Sequence, residues 1–179
     1  MEIHTAYIGL GSNIQAEKHL PAGVRGLLEM PGLQGHRLSP VYQTTAWGNT
    51  DQPDFLNAVM AVQTGLPPLE LLDNLLELEL GEGRERAEVW GPRTLDLDLL
   101  IYGNQAIDHP RLRVPHPLIS EREFVLVPLL DLAPDLAHPL TGRPFATLLS
   151  WLPDQEGIRL AESDPCAGLE INRAQPTAR

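Results

Sequence analysis

The chain has 179 residues, 42% of them hydrophobic, which suits one globular domain with a core of its own. Its formal net charge of -11 argues against broad electrostatic binding to nucleic acid. The single cysteine, Cys166, excludes an intrachain disulfide framework and a cysteine-rich zinc site. No apolar run approaches the roughly 20 residues of a membrane span, and the N-terminal run is too short for a signal peptide. We therefore expect a cytoplasmic protein that binds neither nucleic acid nor membranes.

The first part of the chain alternates between strand and helix patterns. Residues 4–11 predict a strand, and residues 15–30 carry leucine and valine at helical spacing. Residues 36–47 look extended, with an edge or a bend at Pro40. A loop then leads to residues 55–64, which predict a buried strand.

The second part continues with a helix that opens at Pro68 and carries a leucine stripe. Residues 81–93 are glycine-rich and charged, which is typical of a loop. Residues 95–102 predict a strand. Residues 121–132 and 144–152 predict two further helices.

The order of these elements predicts the fold class. Strand, helix, strand, strand, helix, strand is typical of an α+β fold with a ferredoxin-like (split βαβ) antiparallel sheet, helices packed on it and extra C-terminal elements. A doubly wound sheet would need a helix after every strand, and residues 36–64 do not supply one. We expect one domain over residues 1–152. Apolar periodicity fades after Pro153, so residues 153–179 predict a flexible tail.

Two aspartates two residues apart carry the strongest chemical signal. Alternate side chains of a strand share a face, so Asp96 and Asp98 point the same way. Carboxylates repel each other unless a cation lies between them, and hard oxygen ligands suit Mg²⁺ that also binds substrate phosphates. Such a pair could bridge two metal ions. Without further signals, two solvated acids on a strand face are the commoner explanation.

Arginines are concentrated around this pair although the chain is acidic. Six of them fall between residues 84 and 122: Arg84, Arg86, Arg93, Arg111, Arg113 and Arg122. The guanidinium group is a planar, forked partner for phosphate oxygens. The pattern therefore indicates one anionic small ligand. Trp90, in the charged loop, could close over a flat ligand, although an isolated tryptophan is more often a core residue.

The residues alone leave three interpretations open. A metal-dependent phosphotransferase fits the aspartates and arginines, and the phosphate-binding P-loop motif is absent. A nucleotidyl cyclase or polymerase palm also places paired aspartates on such a sheet, but the acidic charge disfavours a nucleic-acid track. A binding module whose acids are merely solvated is the non-enzymatic alternative.

Several segments resemble the 6-hydroxymethyl-7,8-dihydropterin pyrophosphokinase family. The matching stretches, in the family order, are AYIGLGSN (6–13), SPVYQTTAWG (39–48), DQPDFLNA (51–58), GRERAEVWGPRTLDLDLLIYG (83–103) and RLRVPHPLISEREFVLVPLLDLAP (111–134). The resemblance implies ATP as donor, 6-hydroxymethyl-7,8-dihydropterin as acceptor, and two Mg²⁺ ions held by Asp96 and Asp98. It implies transfer of a pyrophosphoryl group to the pterin hydroxyl in folate synthesis. We expect a monomer.

The resemblance also implies the residues of the site. For the pterin pocket these are Thr44, Thr45, Trp47, Phe55, Asn57 and Phe124. For the ATP side they are Glu79, Trp90, Arg93, Arg111, His116 and Arg122. Catalysis would use Asp96 and Asp98 together with Arg84, Arg86 and Arg93. A flat pterin suits stacking on Phe124, and the amide of Asn57 can both donate to and accept from the pterin edge.

Overall fold

The structure, a computed structural model, describes residues 2–45, 51–83, 92–153 and 157–178. The strands are β1 His4–Ser12, β2 Leu33–Leu38, β3 Tyr42–Thr44, β4 Phe55–Thr64, β5 Asp96–Tyr102, β6 Ile107–His109, β7 Leu112–Val114, β8 Arg159–Leu160 and β9 Asn172–Arg173. The α-helices are α1 Ala16–Glu29, α2 Pro68–Gly81, α3 Glu123–Leu132 and α4 Phe145–Trp151, and a 3₁₀ turn spans Ile119–Glu121. The elements predicted from the sequence are therefore present, and the α+β class is confirmed.

One sheet organises the chain. Its strands lie in the order β5-β1-β4-β2-β9, and β3 pairs with both β4 and β8. The pairs β1–β4, β1–β5 and β2–β4 are antiparallel. Strands β6 and β7 form a separate two-stranded hairpin. The two longest strands, β1 and β4, lie side by side at the centre, which makes them the rigid support for whatever the sheet presents.

Helices cover both faces of the sheet. On one face, α1 and α2 pack on alternate residues of β1, among them Ala6, Ile8 and Leu10. The other face carries a second core, in which α3 and α4 pack on Val59 and Leu100. This division follows from the two-residue period of a strand, which sends successive side chains to opposite faces. The second core covers only part of its face.

The extended stretch predicted around Pro40 is divided into two strands. β2 and β3 both pair with β4, and the chain bends between them at Ser39-Pro40. Pro40 has no N–H that could donate to the neighbouring strand. Ser39 makes hydrogen bonds to β4 in its place. Its N–H donates to the Val59 carbonyl oxygen over 2.9 Å, and its Oγ accepts from the Val59 N–H over 2.9 Å. The bend directs β3 to the end of β4 where Phe55 lies.

The expectation of a flexible tail after residue 153 is wrong for the part that the structure describes. β8 pairs with β3, and β9 pairs in parallel with β2. Cys166 is fully buried in the first core, and Ala174 is buried in the second. Burial raises the pKa of the Cys166 thiol to about 12, so the group is an inert thiol. Backbone pairing and two buried side chains hold this segment, and neither produces a periodic sequence pattern.

Among the described residues, none of the helices combines the length and the apolar character that crossing a membrane requires.

Candidate active site

The predicted aspartate pair lies on the sheet face that α3 covers in part. Gly11 of β1 lies opposite Asp96 of β5 on one side and opposite Asn57 of β4 on the other. Gly9 lies opposite Asp98. Residues that pair across antiparallel strands share a face, so the two carboxylates and the amide face the same space. The shared face of Asp96 and Asp98 predicted from the sequence is therefore confirmed.

Gly11 keeps the centre of this face open. A Cβ at this position would lie 3.1 Å from Oδ1 of Asn57, which is tighter than ordinary van der Waals contact. A larger side chain would also stand between the amide and the Asp96 carboxylate. Glycine thus allows a ligand to lie directly on the backbone of β1.

A cavity of about 130 Å³ opens above this face. It brings together two groups of residues that the sequence resemblance assigned to different ligands. The pterin group comprises Thr44, Thr45, Phe55, Asn57 and Phe124. The phosphate group comprises Arg93, Asp96, Asp98 and Arg122. Residues from four separate segments of the chain therefore converge on one cavity.

The amide of Asn57 is oriented by its neighbour on β3. Its Nδ2 donates to Oγ1 of Thr44 over 2.8 Å, and both side chains are buried. A buried polar group is costly unless it is paired, so this bond fixes which edge of the amide faces the cavity. Phe55 and Phe124 add flat apolar surface to the same region.

Arg93 lies in the loop that precedes β5, and its side chain reaches the first aspartate of that strand. Its Nη1 is 3.5 Å from Oδ1 of Asp96, and both side chains remain partly exposed. Its backbone is held by Asn13, whose Oδ1 accepts from the Arg93 N–H over 2.8 Å. Asn13 Nδ2 donates in turn to Oε1 of Gln52 over 3.0 Å and to the Pro53 carbonyl over 3.1 Å. One buried amide therefore connects the segments on either side of the cavity.

The sequence interpretation missed the role of Asn13. The stretch after Gly11 predicts only a turn, and asparagine is common in turns. Nothing in the sequence indicates that the Asn13 amide reaches residues 39 and 80 positions away, as its bonds to Gln52 and Arg93 do. Such a contact depends on the tertiary arrangement of three loops.

A second cation lies over the aromatic part of the cavity. The guanidinium carbon of Arg122 is 5.7 Å from the centre of the Phe124 ring, within cation–π distance. Arg122 is the N-cap residue immediately before α3, and Phe124 lies in the first turn of that helix. The start of α3 therefore presents one charged and one flat group to the same ligand.

A neighbouring cleft shares Asp98 with this cavity. It is lined by β5 and by the hairpin β6–β7, and it includes Arg111, Arg113 and His116. Arg111 forms an ion pair with Asp73 of α2, and Arg113 forms one with Asp108 at 3.1 Å. Because both spaces reach Asp98, a ligand that occupies them together would pass over that carboxylate.

His116 is held as a neutral donor at this cleft. Its Nδ1 accepts from the Leu118 N–H over 3.2 Å, which leaves the proton of a neutral ring on Nε2. Burial lowers the pKa of the His116 imidazole from its ordinary value of 6.5, and the charge of Arg122 lowers it further. Asp96 acts in the opposite direction but is the weakest of the three influences. A neutral Nε2–H can donate a hydrogen bond to a phosphate oxygen.

Glu79 is not among the residues that line these two spaces, and the ATP-side role that the resemblance implies for it stays a prediction. It is 2% exposed, and its Oε1 accepts from the backbone N–H of Leu97 over 2.7 Å. The carboxylate therefore joins α2 to β5 from the side opposite the aspartates. Four other predicted site residues, Trp47, Arg84, Arg86 and Trp90, lie outside the described residues.

The donor set on β5 fits a divalent cation that brings other ligands with it. Within the described ranges, no group of three or more His, Cys, Asp or Glu side chains could hold a metal by itself. Two carboxylates that face a ligand cavity suit Mg²⁺, which keeps several waters and binds substrate phosphates. Asp96 and Asp98 are the residues that would hold it.

Comparisons with known proteins show the family to which the chain is related. A family model described as 7,8-dihydro-6-hydroxymethylpterin-pyrophosphokinase matches residues 7–134. The chain is 46% identical over 157 residues to a 2-amino-4-hydroxy-6-hydroxymethyldihydropteridine pyrophosphokinase of Pseudomonas aeruginosa, covering 87% of this chain and 96% of the relative. A protein of the same name from Methylorubrum extorquens is 46% identical over 158 residues, covering 88% of this chain and 98% of the relative.

A solved structure resembles the fold at lower sequence identity. The Plasmodium falciparum HPPK-DHPS wild type with pterin and p-hydroxybenzoate aligns with a TM-score of 0.64 and 15% identity. The alignment covers 83% of this chain and 43% of that one. This likeness supports the fold alone.

Fold, site and comparisons together define a transferase of phosphorus-containing groups. The chain belongs to the 7,8-dihydro-6-hydroxymethylpterin-pyrophosphokinase family.

Proposed function

We propose that the chain transfers the pyrophosphoryl group of Mg-ATP to the hydroxymethyl oxygen of 6-hydroxymethyl-7,8-dihydropterin. The products are AMP and the pterin diphosphate, and the step belongs to folate biosynthesis. The observation that carries the proposal is the single cavity in which Asn57 and two aromatic rings lie opposite Asp96, Asp98 and Arg93. A pterin and a polyphosphate would meet there.

The pterin binds on the β3–β4 side. Its flat ring stacks with Phe124 and contacts Phe55 at the rim, while its polar edge meets the oriented amide of Asn57. Thr44 and Thr45 complete this wall, and Trp47 is assigned to it by the resemblance. The hydroxymethyl group then points along the sheet face towards the aspartates of β5.

ATP binds from the neighbouring cleft. His116 and Arg111 contact it there, and Arg122 and Arg93 bind phosphate oxygens nearer the pterin. Positioned cations and hydrogen-bond donors account for most catalysis of phosphoryl transfer. Arg84, Arg86 and Trp90 would join them from the charged loop. Glu79 supports β5 from behind through Leu97.

Asp96 and Asp98 would hold two Mg²⁺ ions in this proposal, and bound magnesium would act as a Lewis acid that neutralises the phosphate charge. The protein's own groups align the hydroxyl oxygen with the β-phosphorus. A bond forms between those two atoms while the bond from the β-phosphorus to the oxygen shared with the α-phosphorus breaks. AMP leaves with that oxygen, and the proton of the hydroxyl is released to solvent.

The finer architecture belongs to the same proposal. The order β5-β1-β4-β2, with α1 and α2 as crossover connections, supports the ferredoxin-like (split βαβ) arrangement. A monomer is sufficient, since one chain supplies both groups of cavity residues. A cytoplasmic location belongs to the same proposal, since ATP is available there.

Product identity tests the proposal. Purified protein is incubated with Mg²⁺ and ATP, with and without 6-hydroxymethyl-7,8-dihydropterin, and nucleotides are separated by chromatography. We expect AMP that appears only with the pterin, in equal amount to the pterin diphosphate. ADP would show attack at the γ-phosphorus, and pterin-independent turnover would show a different acceptor; either result contradicts the proposal.

A further inference from the structure

The segment 157–178 lies against the edge of the sheet that forms the pterin side of the cavity. β8 pairs with β3 through Gln43 opposite Arg159 and Tyr42 opposite Leu160. β3 ends at Thr44, and Thr45 follows it. The C-terminal segment is therefore bonded directly to the strand that carries the cavity wall.

A buried carboxylate connects this segment to α3, the helix that carries Phe124. Asp131, in α3, accepts from the Thr177 N–H over 2.8 Å and from the hydroxyl of Tyr42 in β3. The carboxylate is 6% exposed, so each bond compensates for the loss of water. Phe124 lies in the same helix. The C-terminal segment therefore joins α3, which carries Phe124, to β3, which carries Thr44.

Gly157 lies against Thr45, one of the residues that line the cavity. A Cβ at this position would lie 2.9 Å from Oγ1 of Thr45, and the glycine φ of 141° is one that other residues rarely adopt. Further along, Arg159 Nη2 lies 3.4 Å from Oδ2 of Asp54, which also accepts from Gln43 Nε2 over 3.0 Å. The segment thus contacts Thr45, next to β3, and Asp54, next to β4.

We propose that residues 157–178 form a positioning element for the pterin site, in which the missing side chain of Gly157 sets where the Thr45 side chain stands. The proposal rests on the proposed function for the identity of the ligand. The segment acts through β3 and α3 and does not line the cavity. Because Gly157 acts on Thr45 beside β3, its disturbance should alter pterin binding while ATP binding stays unchanged.

The first test uses two glycine variants. Gly157→Ala places a methyl group against Thr45, whereas Gly142→Ala also adds a Cβ at a positive φ, of 69°, but with no atom within 4 Å of it. Displacing Thr45 from its rotamer corresponds to about a three- to tenfold rise in the KM for the pterin. We expect that rise in Gly157→Ala alone, with the KM for ATP unchanged in both variants. A wild-type pterin KM, or an equal rise in the ATP KM, overturns the proposal.

The second test acts at the other end of the segment. Thr177→Pro removes the N–H that donates to Asp131, and Thr177→Ala keeps it. We expect only the proline variant to raise the pterin KM. If Gly157→Ala and Thr177→Pro lower the melting temperature but bind the pterin as the wild type does, the segment is structural only and the proposal fails.

Binding without turnover separates this proposal from the proposed function. Equilibrium binding of 6-hydroxymethylpterin is measured by its fluorescence in the wild type and the four variants. A wild type that binds the pterin but makes no AMP, with weaker binding in Gly157→Ala and Thr177→Pro, contradicts the reaction and supports the positioning element. A wild type that does not bind the pterin contradicts both.

Discussion

The guanidinium of Arg93 lies 3.5 Å from the carboxylate of Asp96, measured from Nη1 to Oδ1. A partly exposed ion pair of this kind adds little to folding stability. The pair instead orients the two side chains, because the Arg93 backbone is fixed by Asn13 and both residues line the cavity. Cation and acid are thus in place on the side where phosphate is expected.

Replacing Arg93 should therefore slow the reaction more than it weakens pterin binding. We expect Arg93→Ala to lower kcat about 100- to 1000-fold, the range for loss of one positioned charge-stabilising donor. Arg93→Lys keeps the charge but loses the forked geometry, so its kcat should lie between those of the wild type and Arg93→Ala. Arg143→Ala, which removes an arginine stacked on Trp151 outside the cavity, serves as the control. An unchanged kcat in Arg93→Ala contradicts a phosphate role.

Asn57 should determine pterin affinity. Asn57→Ala removes the amide and leaves the buried Thr44 hydroxyl without the donor it now has, at a cost of about 1–3 kcal/mol. We expect the pterin KM to rise at least about tenfold while the ATP KM changes little. Gln63→Ala, at the far end of the same strand, is the control. Steady-state kinetics with each substrate varied in turn decides the matter, and a larger effect on ATP would move the pterin elsewhere.

Glu79 should affect stability first. Glu79→Ala leaves the buried Leu97 N–H without its acceptor, which costs about 1–3 kcal/mol of unfolding free energy. Glu79→Gln keeps an acceptor oxygen and should lose less. Urea unfolding of both variants measures the difference, alongside the KM for ATP. A rise in the ATP KM of Glu79→Ala without loss of stability would contradict this structural role and support the direct nucleotide contact that the resemblance implies.

His116 should make stability depend on acidity in a defined direction. Its pKa in the folded protein is below the ordinary 6.5, so the unfolded chain binds more protons between these two values. The contribution is constant above pH 6.5 and is lost as the pH falls from 6.5 through the folded pKa. The wild type should therefore lose more unfolding free energy from pH 7.5 to 5.5 than His116→Asn does. Equal losses, measured by urea unfolding, would contradict a buried neutral imidazole.

The sheet and the central pair of acids could be predicted because they follow local rules. The apolar run of 55–64 has the same bounds as β4. The alternation in β5 buries Leu97 and Leu99 and leaves Asp96 and Asp98 on the other face. Period-two patterning is an intrinsic property of a strand, so it can be recognised without knowledge of the neighbours.

The remaining features depend on contacts between distant residues. β8 and β9 have two residues each, too few for a periodic pattern, and they exist because β3 and β2 present open edges. The role of Glu79 depends on a backbone N–H that lies 18 residues away. The sequence marks Glu79 only as one acid of a helix, so its position behind β5 could not be inferred.

The most direct test of the account is pterin-dependent AMP formation in the wild type, Asp98→Ala and Asp135→Ala. Asp98 lies where the two spaces meet, whereas Asp135 is an exposed acid outside both. We predict that Asp98→Ala stays folded by circular dichroism and loses most of its turnover, while Asp135→Ala matches the wild type. A folded Asp98→Ala that forms AMP at the wild-type rate would contradict the assignment of the reaction to this face of the sheet.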